Sequence, residues 1–147
     1  MNIARTTAGV LLTLSVLASP ALAAPAGAAD GLTERVSVSS AGKQGNGISG
    51  RFTAPALSGD GHVAAFDSEA SDLVPVDANG AVDDVFVHNR LTNETTLASV
   101  ASDGTQGNDD SQSPALDRTG RLVAFDSDAI NLVAEDTNNV RDAPSVE

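Results

Sequence analysis

The sequence predicts an all-β fold built from antiparallel sheets. A nine-residue motif that begins at Phe66 returns at Phe125, 59 positions further along the chain. Within each copy the apolar residues form short runs bounded by Gly, Asn, Asp and Pro, which is typical of strands joined by tight turns. Neither copy shows the periodicity of a helix. Together these observations predict a repeated unit made of short strands.

The repeat extends over about fifty positions and contains one change of length. Three additional residues lie in the first copy between Gly47 and Pro55, and a loop is the element that tolerates such a change. Repeat one is expected at about residues 35–96 and repeat two at about 97–147. The matched segments are Phe66–Val74 with Phe125–Val133, Pro55–Leu57 with Pro114–Leu116, and Gln44–Asn46 with Gln106–Asn108, the last pair at an offset of 62.

The predicted strands follow one another in a regular order. Residues Arg35–Ser39 alternate apolar and polar side chains, as a half-buried strand does. Val63–Phe66 and Leu122–Phe125 are short apolar runs that each follow a turn containing glycine, and Val85–Val87 and Thr95–Val100 complete the first copy. Continuous apolar runs indicate strands that are covered on both faces. Short, evenly spaced strands of this kind are typical of a sandwich, a barrel or a propeller, and the stacked blades of a propeller cover both faces of a sheet.

The N-terminus has the pattern of an export signal. One positive charge at Arg5 precedes an apolar stretch over Ala8–Ala18, and Pro20–Ala23 then supplies a helix breaker and an A-x-A cleavage site. The apolar stretch is shorter than the roughly 20 residues that span a bilayer. We therefore expect residues 1–23 to be a signal peptide, residues 24–34 to be a linker, and the mature protein to be secreted, periplasmic or bound to the cell envelope, with no membrane span.

Charge and composition narrow the classes of partner. The chain has a net charge of −12, and removal of the signal peptide with its arginine leaves seven basic and 20 acidic residues. Such a surface repels phosphate backbones, which argues against nucleic acid, and it also argues against anionic membranes. The chain has no cysteine, which excludes disulfides, thiolate metal sites and a cysteine nucleophile. A protein or a component of the cell envelope is the expected partner.

The segment Pro55–Ser68 resembles the "P-x-[LW]-S-x-D-G-x-x-[IV]-A-F-x-S" core of the TolB-type, WD-like β-propeller repeat. Asp84–Asn89 is similar to the strand that follows this core, and Pro114–Ser127 matches the core again, with Arg118-Thr119-Gly120 in place of the usual turn. The resemblance implies antiparallel four-stranded blades of a β-propeller. It says little about function, because folds of this kind host many functions.

The chain holds about two such blades, whereas propellers close with about four to eight. The second copy is expected to be truncated, because Pro144 falls where its third strand would pair and proline lacks the ladder donor. We therefore expect a partial propeller, a fragment of a longer protein or a truncated product. An apolar blade face should be exposed at each end, with an unpaired edge near Ala124. Such faces favour self-association.

The strongest candidate site is the loop between the second and third strands of each copy. Its acidic and amide side chains stand at positions 1, 3 and 7, a spacing that can gather oxygen atoms around a hard cation such as Ca²⁺. The alternative is that the same residues shape a turn through side-chain bonds to the backbone. The candidate ligands are Asp77, Asn79 and Asp83 in the first copy and Asp136, Asn138 and Asp142 in the second.

Other motifs are weaker. The segment Gly45–Gly50 matches G-x-G-x-x-G, but a dinucleotide site needs that motif between a strand and a helix, so we interpret it as a flexible connection. The histidines, His62 and His88, are expected on the solvated surface.

No motif indicates a catalytic residue or an organic cofactor. The sequence predicts a non-catalytic, exported binding or scaffold module of the TolB-like propeller type, stabilised by Ca²⁺ if the Asp-x-Asn loops bind it. The alternatives are the accessory propeller of an exported hydrolase or peptidase whose catalytic domain is absent from this chain, and a truncated product without a function.

Overall fold

The computed structural model describes residues 33–134 and 140–143 and the backbone of residues 145 and 146. The regular elements of these residues are all strands, so the all-β prediction is confirmed. Within the same residues no helix has the length and hydropathy needed to cross a membrane. The predicted signal peptide and residues 24–32 of the predicted linker lie outside the described residues.

The first sheet is a four-stranded antiparallel meander formed by repeat one. Its strands are β1 (Ala56–Leu57), β2 (Val63–Ser68), β3 (Asp84–Asn89) and β4 (Glu94–Leu97), and they lie in that order across the sheet. Each strand pairs with the one that follows it in the chain. The connections between successive strands are therefore local hairpins and loops.

The second sheet belongs to repeat two and has three strands. They are β5 (Ser111–Leu116), β6 (Val123–Ser127) and β7 (Ser145–Val146), again antiparallel and in chain order. Ala124 of β6 pairs with Ser145 of β7. The prediction of an unpaired edge near Ala124 is therefore wrong, because residues after the proline supply the backbone groups that pair with β6.

Several hydrogen bonds recur at corresponding positions of the two sequence copies. In both copies an asparagine side chain accepts a backbone N–H from the segment after the second strand, and two serine hydroxyls lie together beside it. The recurring bonds join Asn46 to Ser71 at 2.9 Å and Asn108 to Ile130 at 3.0 Å, and they join the hydroxyls of Ser49 and Ser68 and those of Ser111 and Ser127, at 2.9 Å in both copies. The similarity between the two copies therefore includes these side-chain contacts as well as the sequence.

The three additional residues of repeat one lie in a loop, as predicted. Ser49 pairs with Ser68 in an isolated bridge, and strand pairing resumes only at Ala56. In repeat two the equivalent positions, Ser111 and Ala115, belong to the single strand β5, which absorbs one irregular residue between them.

The sheets stack face to face, so the strand at the centre of repeat one is covered on both sides. Ala65 and Val85 of the first sheet pack against Val123 and Phe125 of the second. All residues from Ala64 to Ser68 in β2 are buried, as the continuous apolar run predicts. Alternation replaces this pattern in β6, where one face is buried and the other is not.

The opposite face of the first sheet is also buried. Phe66 and Phe86 pair across β2 and β3 with ring centroids 6.0 Å apart, and they are 2% and 0% exposed. Val36 and Leu97 pack against this pair. The expectation of an exposed apolar face at each end is therefore wrong at this end, because Val36, at the start of repeat one, contributes apolar cover.

The predicted strand at Arg35–Ser39 does not form, and only an isolated bridge joins Val38 to Gln44. The backbone of this segment forms a tight turn, in which the N–H of Ser39 donates to the carbonyl of Lys43 at 2.8 Å, and side-chain bonds join it to β4. The Thr95 hydroxyl donates to the carbonyl of Val38 at 2.5 Å, and the Ser40 hydroxyl accepts the N–H of Thr95 at 2.9 Å. The predicted strand over Thr95–Val100 is displaced towards the N-terminus, since β4 ends at Leu97.

Candidate functional site

The Asp-x-Asn loop of repeat one joins β2 to β3, where the sequence placed it. Asp77 Oδ1 accepts the backbone N–H groups of Asn79 and Gly80 at 3.3 and 3.1 Å. This is the side-chain bond to the backbone two or three residues ahead that shapes an Asx turn. Gly80 has a φ of +78°, a conformation that favours glycine. The turn geometry considered from the sequence is therefore present.

A glutamine from repeat two enters this loop. Gln106 Nε2 lies 3.1 Å from Asp77 Oδ1, 2.9 Å from Asn79 Oδ1 and 2.6 Å from Asp84 Oδ2. The amide oxygen of Gln106 accepts the backbone N–H of Ala78 at 2.7 Å. A primary amide has two hydrogens, so three acceptors share two donors and the site is rich in acceptors. We call the side chains of Asp77, Asn79, Asp84 and Gln106 the Gln106 site.

Asp84 is the most buried member of the Gln106 site. Its carboxylate has no exposed surface; Oδ1 accepts the Ser99 hydroxyl at 2.7 Å, and Oδ2 accepts the Gln106 amide. Burial raises the pKa of Asp84, while the bonds from Ser99 and Gln106 act in the opposite direction. The carboxylate is thus retained in the interior by donors from the next repeat.

Asp83 lies apart from the other predicted ligands of its loop. The nearest donor to its side chain is Gln112 Nε2, 3.4 Å from Oδ2, and Oδ1 has no partner although Asp83 is only 3% exposed. Burial, together with the charges of Glu69, Asp67 and Asp110, raises the pKa of Asp83 to about 6. The structure therefore brings together Asp77 and Asn79 but not Asp83.

In repeat two, Asp136 and Asn138 lie outside the described residues, whereas Asp142 is exposed. Its backbone bridges to Ser127, the counterpart of Ser68, and Ser68 pairs with Asp84 in the first sheet. Asp142 is therefore the counterpart of Asp84, and the second loop is one residue shorter than the constant offset implies. The prediction that Asp142 corresponds to Asp83 is therefore wrong by one residue.

In residues 33–134 and 140–143, no three acidic or histidine side chains lie close enough together to hold an ion. Two carboxylates and the Asn79 amide oxygen meet at the Gln106 site, and there the Gln106 amide lies among the oxygens. Ca²⁺ binding by these loops stays a prediction.

The spacing of the Asp-x-Asn loop does not single out Gln106 or Asp84. Gln106 does carry a signal, because it repeats Gln44 within Gln-Gly-Asn. The Asp83-Asp84 pair also carries a signal in the sequence, but the sequence does not show which of these two adjacent carboxylates faces the loop.

The two histidines are engaged in local contacts. His62 Nδ1 lies 3.1 Å from Asp60 Oδ2 at a half-buried position. His88 is 1% exposed, its Nδ1 lies 2.9 Å from the Thr95 hydroxyl, and burial lowers its pKa. The expectation of a solvated surface is therefore wrong for His88, because the polar partner on β4 allows the ring to be buried.

The glycine-rich segment is packed closely and is not the flexible connection that we expected. A Cβ atom at Gly47 would lie 2.5–2.6 Å from the backbone of Glu69 and Ala70. A Cβ atom at Gly45 would lie 2.9 Å from the side chain of Ala70. These glycines permit close approach of two chain segments, and no helix follows them as a dinucleotide site requires.

Comparison with protein-family models, curated proteins and solved structures finds no match for this chain.

Proposed function

We propose that this protein is a non-catalytic, exported binding or scaffold module whose sheets are TolB-like propeller blades. One observation carries the proposal. Ala65 and Ala124 occupy the same position in the two repeats, yet Ala65 is fully buried and Ala124 is exposed. The difference arises because repeat two covers the face of repeat one that contains Ala65.

The contact between the repeats is specific as well as apolar. The N–H of Ser111 donates to the carbonyl of Asp83 at 2.7 Å, and the N–H of Gly59 donates to the carbonyl of Arg118 at 2.8 Å. The Gln106 site adds side-chain bonds between the same two repeats. Sheets joined in this way form an array that extends by adding a further sheet to the open face, as in other repeat proteins.

The role outside the cytoplasm rests on the pattern of the first 23 residues. The binding role, in preference to catalysis, is supported by the use of both histidines in local contacts and by a buried carboxylate, Asp84, that bonds to the next repeat. The partner for the open face is another sheet of the same kind, which a second copy of the protein would supply through self-association.

Sedimentation of the mature chain at low micromolar concentration tests the proposal. We expect self-association that Ala124→Glu reduces, because a charge that is buried without a partner opposes contact between the two faces. Thr96→Glu, an exposed position on β4, is the matched control and should leave the association unchanged. A monodisperse monomer with a sharp, cooperative thermal transition would contradict the proposal, as would equal effects of the two variants.

A further inference from the structure

Each repeat contains the same surface pocket. The first has a volume of about 300 Å³ and the second about 450 Å³. Every residue that lines the first has its counterpart in the second at the offsets of 62 and 59 that define the repeat. These volumes lie at the lower end of the range of about 300–1,000 Å³ that is typical of ligand sites. A pocket that recurs at corresponding positions is a structural feature of the repeating unit.

The pockets are lined mainly by aliphatic side chains. Leu73 and its counterpart Leu132 are buried and belong to the cores of their repeats, while Val74 and Val133 form the wall beside them. Val133 is 54% exposed. Neither pocket has an aromatic lining residue on which a nucleobase would stack. Their lining suits an aliphatic side chain.

The rims of the two pockets differ in charge. In the first, Asp72 Oδ2 lies 2.7 Å from Lys43 Nζ, so the carboxylate is neutralised by an ion pair. In the second, Asp72 is replaced by Asn131, and Asp103 supplies the carboxylate. Asp103 accepts the N–H of Thr105 at 2.9 Å, and no basic side chain among the described residues pairs with it. The rim of the second pocket is therefore complementary to a cation.

We propose that the pocket of repeat two binds an aliphatic side chain of a peptide that carries basic residues beside it, with the repeat-one pocket as a weaker second site. The aliphatic side chain packs against Leu132 and Val133, and a flanking ammonium group lies near Asp103. The inference deepens the binding role proposed above, since it names the class of partner, and it rests on that role. The negative charge of the whole chain attracts the same basic partner over a longer range.

The test uses the mature chain with ¹³C-labelled leucine and valine methyl groups. Acetyl-Lys-Leu-Lys-amide is the probe, and acetyl-Lys-Gly-Lys-amide and acetyl-Glu-Leu-Glu-amide are the matched controls. We expect saturable shifts of the Leu132 and Val133 methyls with the first peptide, smaller shifts at Leu73 and Val74, and none at Leu91, which is 70% exposed on the β3–β4 turn.

Two variants connect the shifts to the pocket. Asp103→Asn should weaken binding about two- to fivefold, the range expected from an exposed ion pair. Val133→Lys should abolish the saturable shifts at Leu132, because it removes the apolar wall and repels the basic peptide. Val76→Lys, at a position 75% exposed and outside the pocket, is its control and should bind as the parent does.

The proposal is overturned by the absence of saturable shifts at Leu132 and Val133 with millimolar Lys-Leu-Lys peptide. Equal shifts with the glycine or glutamate peptide, or unchanged affinity of Val133→Lys, overturn it as well. Failure here is distinguishable from failure of the proposed scaffold role, because sedimentation of Ala124→Glu reports on the open sheet face and not on this pocket.

Discussion

Replacement of Asp83 by asparagine is expected to stabilise the protein at neutral pH. Asp83 is 3% exposed, its Oδ1 has no partner, and its burial and three acidic neighbours raise its pKa. The amide has the same shape without the charge. Because its N–H₂ group can face the carboxylates of Glu69, Asp67 and Asp110, an unfavourable contact becomes a favourable one.

The magnitude follows from linkage. The pKa of Asp83 is raised from 3.8 to about 6, and a shift of about two pKa units is worth up to about 3 kcal/mol. A raised pKa means that the folded state holds the proton more tightly than the unfolded state. The parent therefore loses this free energy of unfolding progressively as the pH rises from about 3.8 to about 6, and the loss is complete above pH 6.

Urea unfolding of the parent and Asp83→Asn at pH 4, 5, 6, 7 and 8 measures the effect. The difference in the free energy of unfolding should be smallest at pH 4 and should reach up to about 3 kcal/mol in favour of the variant at pH 7. The depressed pKa of His88 acts with the opposite sign, since its stabilising effect is lost as the pH falls below 6.5, but it is common to both proteins and cancels in the difference.

Asp103→Asn is the matched control. The pKa of Asp103 is lowered by hydrogen bonds from Thr105, so its contribution changes only below about pH 4 and its difference from the parent should be constant between pH 5 and 8. A variant at position 83 that is less stable than the parent at pH 7, or a difference that does not grow between pH 4 and 7, would refute the reasoning.

Three further predictions concern the loop, the core and export. If Ca²⁺ binds the Asp-x-Asn loops, millimolar Ca²⁺ should raise the unfolding midpoint of the parent and of Gln106→Ala, and Asp77→Ala should reduce that gain; a midpoint that is the same with Ca²⁺ and with chelator would leave only the turn and the contact with Gln106 as roles of the loop. Phe125→Ala should lower the free energy of unfolding by about 3–5 kcal/mol, since the ring fills the contact between the sheets, whereas Leu91→Ala should change it by less than about 0.5 kcal/mol; equal effects in calorimetry would contradict the packing described. N-terminal sequencing of protein recovered outside the cytoplasm should begin at or near Ala24, and intact Met1 in a cytoplasmic pool would contradict export.

Much of the fold is predictable from the sequence because its determinants are local. The glycine and asparagine turns, the short apolar runs and the 59-residue offset concern residues that are near in the chain or alike in type. They predict the all-β class, the position of β2, β3 and β6, and the loop that carries the three additional residues. Asp77 and Asn79 were found in the same way, because an Asx turn is encoded within four residues.

Strand register decided which carboxylate functions in the loop. Asp83 and Asp84 are adjacent, and neighbouring residues of a strand point in opposite directions, so a displacement of one residue exchanges their surroundings. The pairing of Ser68 with Asp84 places Asp84 against Gln106, 22 positions away in the sequence, and leaves Asp83 among other acids. No pattern of single residues contains that information.

Burial likewise came from the tertiary structure alone. Ala65 and Ala124 have nearly the same neighbours in sequence, and the composition of the two runs predicts the same environment for both. One is buried and the other exposed because only repeat one has another sheet against that face. Local sequence sets the shape of a strand and its turns, whereas the stacking of sheets depends on residues from distant parts of the chain, which no local pattern records.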